Sequence, residues 1–319
     1  MIHPTRRSVL KTGAFFTCCC LGQFSLARAQ SAGRVALPVT EFEDGVFAFS
    51  GIPEMMSANN RGEICNVGFI VGEEAVAVVD SGGSVAEGRA LIASIRAVSD
   101  KPIRYLINTH MHPDHIFGNA AFEDTGATVV GHQSLPRALA SRGDYYLRSF
   151  RESLGASLMA DVKIIPPTKL IAGEETLDLG KRQLTLKAWK PAHTDNDLTV
   201  FDQQSQALFT GDLCFIDHLP TMDGSLRGWM EQLETLKTIN AKLAVPGHGP
   251  VPSKWPEALE VERRYFETLA RDIRKSIADG VPMAEAVKTA AQSERPNWRL
   301  FDEYNERNAT AAFAELEWE

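Results

Sequence analysis

Cysteine is scarce in this sequence and unevenly placed. Three of the five stand together as Cys18, Cys19 and Cys20, and the rest of the chain holds only Cys65 and Cys214. Two thiols so far apart make no disulfide framework, so a hydrophobic core has to hold the fold. Each reads as a small buried core residue, with pairing between them left open. Basic clusters are missing from the body of the chain, and the formal net charge is −8 at pH 7. That argues against a nucleic-acid binder and leaves a small molecule or a protein as partner. No apolar stretch spans a bilayer comfortably. Neither a Gly-x-Ser-x-Gly nucleophile elbow nor a glycine-rich phosphate loop occurs. What the chain does have is core: 44% of its 319 residues are hydrophobic, enough for one large domain or two modest ones.

The N-terminus reads as a separate object. Thr5-Arg6-Arg7-Ser8-Val9-Leu10-Lys11 precedes an apolar stretch from Thr12 to Leu26 and then Ala27-Arg28-Ala29. Paired arginines, a short apolar run and a small-x-small site are the parts of an export signal. The arginine pair resembles the twin-arginine class, S/T-R-R-x-F-L-K, with Val9 in the place of its phenylalanine. We expect residues 1–29 to be this signal, cleaved after Ala29, with a retained signal anchor as the alternative. Cleavage would remove Arg6, Arg7, Lys11, Arg28 and the three adjacent cysteines, and take the charge from −8 to −12. The expected location is periplasmic or secreted, without stable membrane insertion. The twin-arginine route carries folded proteins, so a metal could be loaded before export.

After a short linker over 30–38, strands and helices alternate. Runs 46–49, 67–71 and 75–79 are apolar and β-rich, and the last ends in Asp80-Ser81-Gly82-Gly83. Residues 84–98 carry apolar side chains at helical spacing, and Ile103 to Ile107 is the next strand. Further strands are expected at 127–130, 184–189, 198–201, 207–210 and 243–245, and helices near 133–159 and 228–239. This predicts mixed sheets with helices outside them, an α/β or α+β chain. Residues 254–319 form helical patterns at 257–277, 283–291 and 308–316. Three helices alone make a thin core, so this extension is expected to pack on the main domain, 30–253.

The chemistry concentrates just past strand 103–107, in Thr109-His110-Met111-His112-Pro113-Asp114-His115. Imidazole and carboxylate suit zinc and other first-row metals. On a turn stiffened by Pro113, His110 and His112 could grip one ion while Asp114 and His115 face a second. Buried together without a cation, these groups would leave several polar atoms unpaired. His193 follows strand 184–189, Asp212 follows an apolar strand in Thr210-Gly211-Asp212, and His248 sits in Pro246-Gly247-His248-Gly249-Pro250. Taken singly, each of these three could be an ordinary turn residue. As a set at strand ends, they could converge on one sheet edge.

The order T-H-x-H-x-D-H, A-H-T, G-D, G-H-G resembles the metallo-β-lactamase superfamily over roughly residues 40–250. The resemblance implies an αββα sandwich with metals at one edge of the paired sheets, followed here by the C-terminal helical extension. It implies a first metal on His110, His112 and His193, a second on Asp114, His115 and His248, and Asp212 bridging both. Two Zn2+ are the implied cofactors, with iron or manganese as alternatives. Asp80 resembles the family's structural aspartate, orienting a ligand. Aspartate at 212 looks like the glyoxalase-II and general-hydrolase branch, whereas β-lactamases place cysteine in the second site. Cys214 would point to the same side of a continuing strand, with core packing as the plainer reading. The stretch 211–229 is similar to exported members tied to sulfur-oxidation or quinoprotein systems, the SoxH-like proteins. His218 and Trp229 could line a pocket mouth or be an exposed histidine and a core tryptophan. His132 reads as a turn residue at a helix start.

The implied activity is an exported metal-dependent hydrolase. A hydroxide held between the metals would attack an ester, thioester, lactone or lactam, with Asp114 orienting it and carrying a proton. A mononuclear iron persulfide dioxygenase uses much the same ligands and is the alternative. A non-catalytic metal-binding partner of a periplasmic redox complex is a third reading.

Overall fold

The computed structural model describes residues 35–319, so the twin-arginine segment, Cys18 to Cys20 and the start of the linker lie outside the described residues. Two sheets stack face to face. The first has seven strands in chain order: β1 (Thr40–Glu43), β2 (Val46–Phe49), β3 (Val67–Val71), β4 (Val76–Val79), β5 (Ile103–Ile107), β6 (Thr128–His132) and β7 (Lys169–Ile171). Pairing is antiparallel from β1 to β4 and parallel from β4 to β7. The second sheet has six strands: β8 (Glu174–Asp178), β9 (Gln183–Ala188), β10 (Leu198–Asp202), β11 (Ala207–Phe215), β12 (Leu243–His248) and β13 (Ser253–Lys254), ordered β13-β12-β11-β10-β9-β8.

Period-two alternation explains the layers. In β4, Ala77 and Val79 join the apolar layer between the sheets, with Leu186, Val200 and Phe209 from the other side. Val76 and Val78 point the opposite way, into a layer with Leu91 and Ile95 of helix α1 (Val85–Val98). A strand covered on both faces reads as an unbroken apolar run, which is what 75–79 shows. Ser84 starts α1 by accepting a hydrogen bond from the Glu87 amide. The second sheet is covered in turn by α4 (Leu226–Leu236), α5 (Leu259–Ala278), α6 (Met283–Thr289) and α7 (Phe301–Leu316), whose apolar residues share one cluster with Leu208, Leu213 and Cys214. The fold is an αββα sandwich with C-terminal helices. Those helices bury Trp229, Tyr265 and Phe266 completely, each contributing roughly 1.5–3 kcal/mol of burial free energy.

Several boundaries differ from the sequence expectation. The short edge strands β7 and β8 carry too few apolar residues to announce themselves. Strand β11 runs on to Phe215 and so contains Asp212. Asp114 and His115 lie on a single helical turn, α2 (Pro113–Ile116), because Pro113 at its start fixes a helical φ. Helix α3 (Leu135–Met159) is broken at Gly155, whose φ is +80°. Helix α7 starts at Phe301, earlier than its apolar pattern suggests. Leu37 is buried, so the ordered body begins within the expected linker. Cys65 and Cys214 are both buried free thiols. None of the described helices is long and apolar enough to cross a membrane.

Candidate metal centre

The strand ends deliver the chemistry to one edge of the sandwich. Asp80 follows β4, His110 and His112 follow β5, His193 follows β9, Asp212 lies in β11, and His248 closes β12. His110, His112, His193 and Asp212 form one group of donor atoms within 4.8 Å of one another, and His115, Asp212 and His248 form another. Asp212 belongs to both. Its Oδ2 lies 3.4 Å from His193 Nε2, 3.7 Å from His110 Nε2 and 3.6 Å from His248 Nε2. Asp114 Oδ2 is 3.2 Å from His248 Nε2 and 3.5 Å from His115 Nε2. The structure therefore brings all seven candidate residues together.

Each imidazole commits its outer N–H to an oxygen. His193 Nδ1 donates to the Thr221 carbonyl at 2.7 Å, and His248 Nδ1 to the Ile64 carbonyl at 3.1 Å. His115 Nδ1 donates to Asp80 Oδ2 at 2.8 Å. His110 Nδ1 donates to Thr109 Oγ1 at 3.0 Å, since that hydroxyl spends its own proton on Asp80 Oδ2 at 2.7 Å. His112 is reversed: Nε2 donates to Asp223 Oδ2 at 3.2 Å, leaving Nδ1 to face inward. These partners fix which ring nitrogen of each histidine faces inward, so five ring nitrogens point at the centre. His112 Nδ1 lies 3.1 Å from His110 Nε2 and 2.9 Å from His193 Nε2, with no proton left to share. His115 Nε2 and Asp212 Oδ1 are buried without a hydrogen-bond partner although they stand 3.1 Å apart. Converging lone pairs and carboxylates repel unless a cation lies among them, so the donor set fits metal ions.

The electrostatics agree. Burial holds His110 and His193 below the usual imidazole range, His193 at about 3, so both are neutral imidazoles at pH 7. Burial works against charge on His115 too, but Asp212, Asp114 and Asp80 outweigh it and push its pKa up. There a proton takes the place that a metal cation would otherwise fill. Burial also opposes ionisation of Asp114 and Asp212, and the surrounding histidines reverse this, holding Asp114 at about 2 and Asp212 below its ordinary range. Cys65, read as a plain core residue, also serves the cluster, because its Sγ–H donates to the Asp114 carbonyl at 2.9 Å. Burial and nearby carboxylates push its pKa up, so it stays a thiol.

Glycine makes the cluster possible at Gly247. A Cβ there would stand 1.8 Å from Asp212 Oδ1, so only glycine leaves room for the carboxylate.

A cavity of about 450 Å³ opens over the cluster, lined by His112, Asp114, Asp212 and His248. His218 is buried on its wall and stacks on His248 with ring centroids 4.8 Å apart. Trp229 is instead a core residue packed edge-on against His193. His132 closes β6 rather than lying in the turn: its Nδ1 accepts from the Ser134 amide at 3.0 Å at the entry to α3. Arg142, Tyr146, Asp223, Tyr304 and Arg307 also line the cavity, and sequence reasoning gave them no role. Arg142 and Tyr146 face one way at helical i, i+4 spacing, but that pattern is common to any helix surface.

A sandwich of two mixed sheets with a histidine–aspartate cluster at one edge defines a class of metal-binding α/β folds. The Metallo-beta-lactamase superfamily profile matches residues 60–248, and the chain belongs to that superfamily. It is 26% identical over 238 residues to a linear primary-alkylsulfatase of Pseudomonas sp. (strain ATCC 19151), covering 63% of this chain and 44% of that protein. It is 26% identical over 205 residues to the beta-lactamase-like protein 2 homolog of Caenorhabditis elegans, covering 63% of this chain and 61% of that one. The chain thus spans about half the length of the curated relatives it matches. Among solved structures, a stereoselective inverting sec-alkylsulfatase of Pseudomonas sp. superposes with a TM-score of 0.67 at 15% identity, over 87% of this chain and 50% of that chain. At that identity the likeness concerns the fold alone.

Proposed function

We propose that this protein is an exported binuclear metallohydrolase acting on an ester-type bond of a small molecule. The observation that carries the reading is the set of five inward ring nitrogens with Asp212 shared between two donor groups, beneath an open cavity. His110, His112 and His193 would hold one ion, Asp114, His115 and His248 a second, and Asp212 would reach both. Divalent ions bound there, zinc by the nitrogen-rich donor set, would supply Lewis acidity and make water acidic near neutral pH. The chain's own residues do the rest. Asp80, Thr221 and Asp223 hold the rings in place. Asp114, on the cavity wall and ionised at neutral pH, accepts a proton from attacking water and returns it to the leaving atom, oxygen, sulfur or nitrogen according to the bond cleaved. The narrow, half-apolar cavity favours a single ester, thioester, lactone or lactam over a polymer.

Export rests on the twin arginines Arg6 and Arg7, and a periplasmic redox partner on the likeness of 211–229 to exported family members. Elemental analysis of protein purified from a twin-arginine-competent host, with a hydrolysis screen of esters, thioesters, lactones and β-lactams, tests the reading. Two zinc ions per chain and turnover abolished in His112→Ala are expected. One iron per chain with oxygen uptake on a thiol persulfide would replace it with the dioxygenase reading. Full metal content with no turnover would leave the non-catalytic partner.

A further inference from the structure

Asp223 is held between two arginines from separate helices. Arg142 of α3 pairs with its Oδ2, and Arg307 of α7 approaches its Oδ1 at 3.4 Å. Two guanidinium groups thus share one carboxylate on this side of the cavity, while Asp114 and Asp212 line it on the side of the donor cluster. Both arginines keep part of their surface open, with side chains 43% and 55% exposed, so their remaining N–H donors reach solvent. Next to them, one turn along α3, Tyr146 is 5% exposed; the Arg142 guanidinium, a donor only, lies beside its oxygen, and its O–H has no acceptor. A buried hydroxyl facing a cavity without an acceptor for its proton is a donor left unsatisfied. Burial, reinforced by Asp223, pushes its pKa up to about 12, so it keeps its proton. The rest of the lining is largely apolar: Met56 and Ile64 are buried, Phe150, one turn beyond Tyr146 on α3, is half-buried, and Met55 and Tyr145 are exposed at the rim.

We propose that Arg142, Arg307 and Tyr146 form a recognition site for an oxyanion, and that Met55, Ile64 and Phe150 receive an apolar chain attached to it. The ligand class is an amphiphile with a sulfate- or carboxylate-type head. Planar guanidinium forks and a phenolic O–H match such a head, which offers several acceptor oxygens in one place. The chain as a whole is acidic, but its distant charges are screened beyond about 8 Å at physiological salt. The nearer Asp114 and Asp212 belong to the candidate metal centre, which leaves the two arginines as the cationic feature of the remaining lining. This names what the cavity of the hydrolase reading admits, and its test is one of binding.

The test is calorimetric titration of the metal-loaded protein with decyl sulfate, decanoate, decanol and ethyl sulfate, each below its micelle concentration. The two long-chain anions are expected to bind about tenfold or more tighter than decanol, the size of a charge-assisted contact, and also tighter than ethyl sulfate. Preference between decyl sulfate and decanoate tells sulfate from carboxylate. Arg307→Gln, at a half-exposed position outside the core, is expected to weaken the anions about tenfold and leave decanol unchanged, and Tyr146→Phe to weaken them several-fold. Equal affinity for decanol and decyl sulfate overturns the proposal. So does anion binding that both variants leave intact, since the metals alone would then hold the head. Anion binding of the expected pattern without turnover of any ester would retain the recognition site and reject the hydrolase reading.

Discussion

His193 donates its Nδ1–H to the carbonyl oxygen of Thr221 at 2.7 Å, and through that bond the cluster is tied to the C-terminal helices. Thr221 lies in the loop between β11 and α4, which also carries Asp223, the partner of His112. Helix α7 holds this loop. Asn308 accepts from the Met222 amide at 3.0 Å and donates to the Pro220 carbonyl at 2.6 Å. Glu315 accepts from Ser225 Oγ at 2.7 Å and from the Leu226 amide at 2.8 Å. The extension, outside the superfamily match, thus braces the partners of two candidate ligands.

Asn308→Ala should therefore weaken metal binding although Asn308 touches none of the candidate ligands. Loss of a partner behind a ligand typically costs about 10–100-fold in metal affinity, and one step further back the lower end is expected. Competition with a coloured chelator measures it. Unchanged affinity in a folded Asn308→Ala protein would mean the loop keeps its shape without α7.

Asp80 gives a sharper case. Its carboxylate accepts from His115 Nδ1, the Thr109 amide at 2.8 Å and the Thr109 hydroxyl. Asp80→Asn replaces an acceptor oxygen by a donor amide and so sets a donor against at least one of these. We expect a 10–100-fold loss of affinity, greatest for the ion nearest His115. Two ions released with unaltered, equal affinities would remove Asp80 from the positioning role.

Much of this was legible in the sequence because ligands at strand ends leave a local mark. The run from Thr109 to His115 has no structural justification without a cation, and the unbroken apolar run 75–79 announces a strand covered on both faces. Asp80 could be recognised only by its place after that run. Arg142, Tyr146 and Arg307 were invisible for the opposite reason. They sit on helices, where an arginine or tyrosine on the outer face is ordinary, and only the packing of α3 and α7 around the loop of Asp223 turns them toward one cavity. Trp229 shows the same limit: its motif position left a pocket mouth and the core both open, and the packing of α4 places it in the core.

Gly247→Ala should separate the cluster from the fold. The added methyl has to displace the Asp212 carboxylate it would meet at 1.8 Å. Metal content is expected to fall while the circular dichroism spectrum persists. Gly173→Ala, where a Cβ meets nothing within 4 Å, is the control and should retain its metal. Full metal occupancy in Gly247→Ala would show that the carboxylate can rotate clear, and that its position at 212 is less constrained than the packing indicates.

Far from the cluster, Arg182 and Asp202 form a buried two-pronged pair that pins the β8–β9 hairpin to β10. Arg182 Nε donates to Asp202 Oδ1 at 3.0 Å and Nη2 to Oδ2 at 2.6 Å. Burial works against the carboxylate, but Arg182 and Ser205 outweigh it and hold its pKa below the ordinary value of 3.8. A depressed carboxylate pKa stabilises the fold above the unfolded-state value, roughly 3.9, and loses that contribution as pH falls through the folded value. Asp202→Asn leaves Arg182 charged, buried and short of its counter-ion, which should cost about 3–5 kcal/mol at pH 7. Urea unfolding of both proteins at pH 7, 5 and 3 measures the gap. Because acid strips metal from both alike, the difference between them isolates the pair. It should stay constant from pH 7 to 5 and narrow at pH 3, below the unfolded-state value of roughly 3.9, where the unfolded chain's carboxylate takes up its proton. A gap that is small at pH 7, or that widens in acid, would show that solvent reaches the pair and that the hairpin is held by its apolar contacts alone.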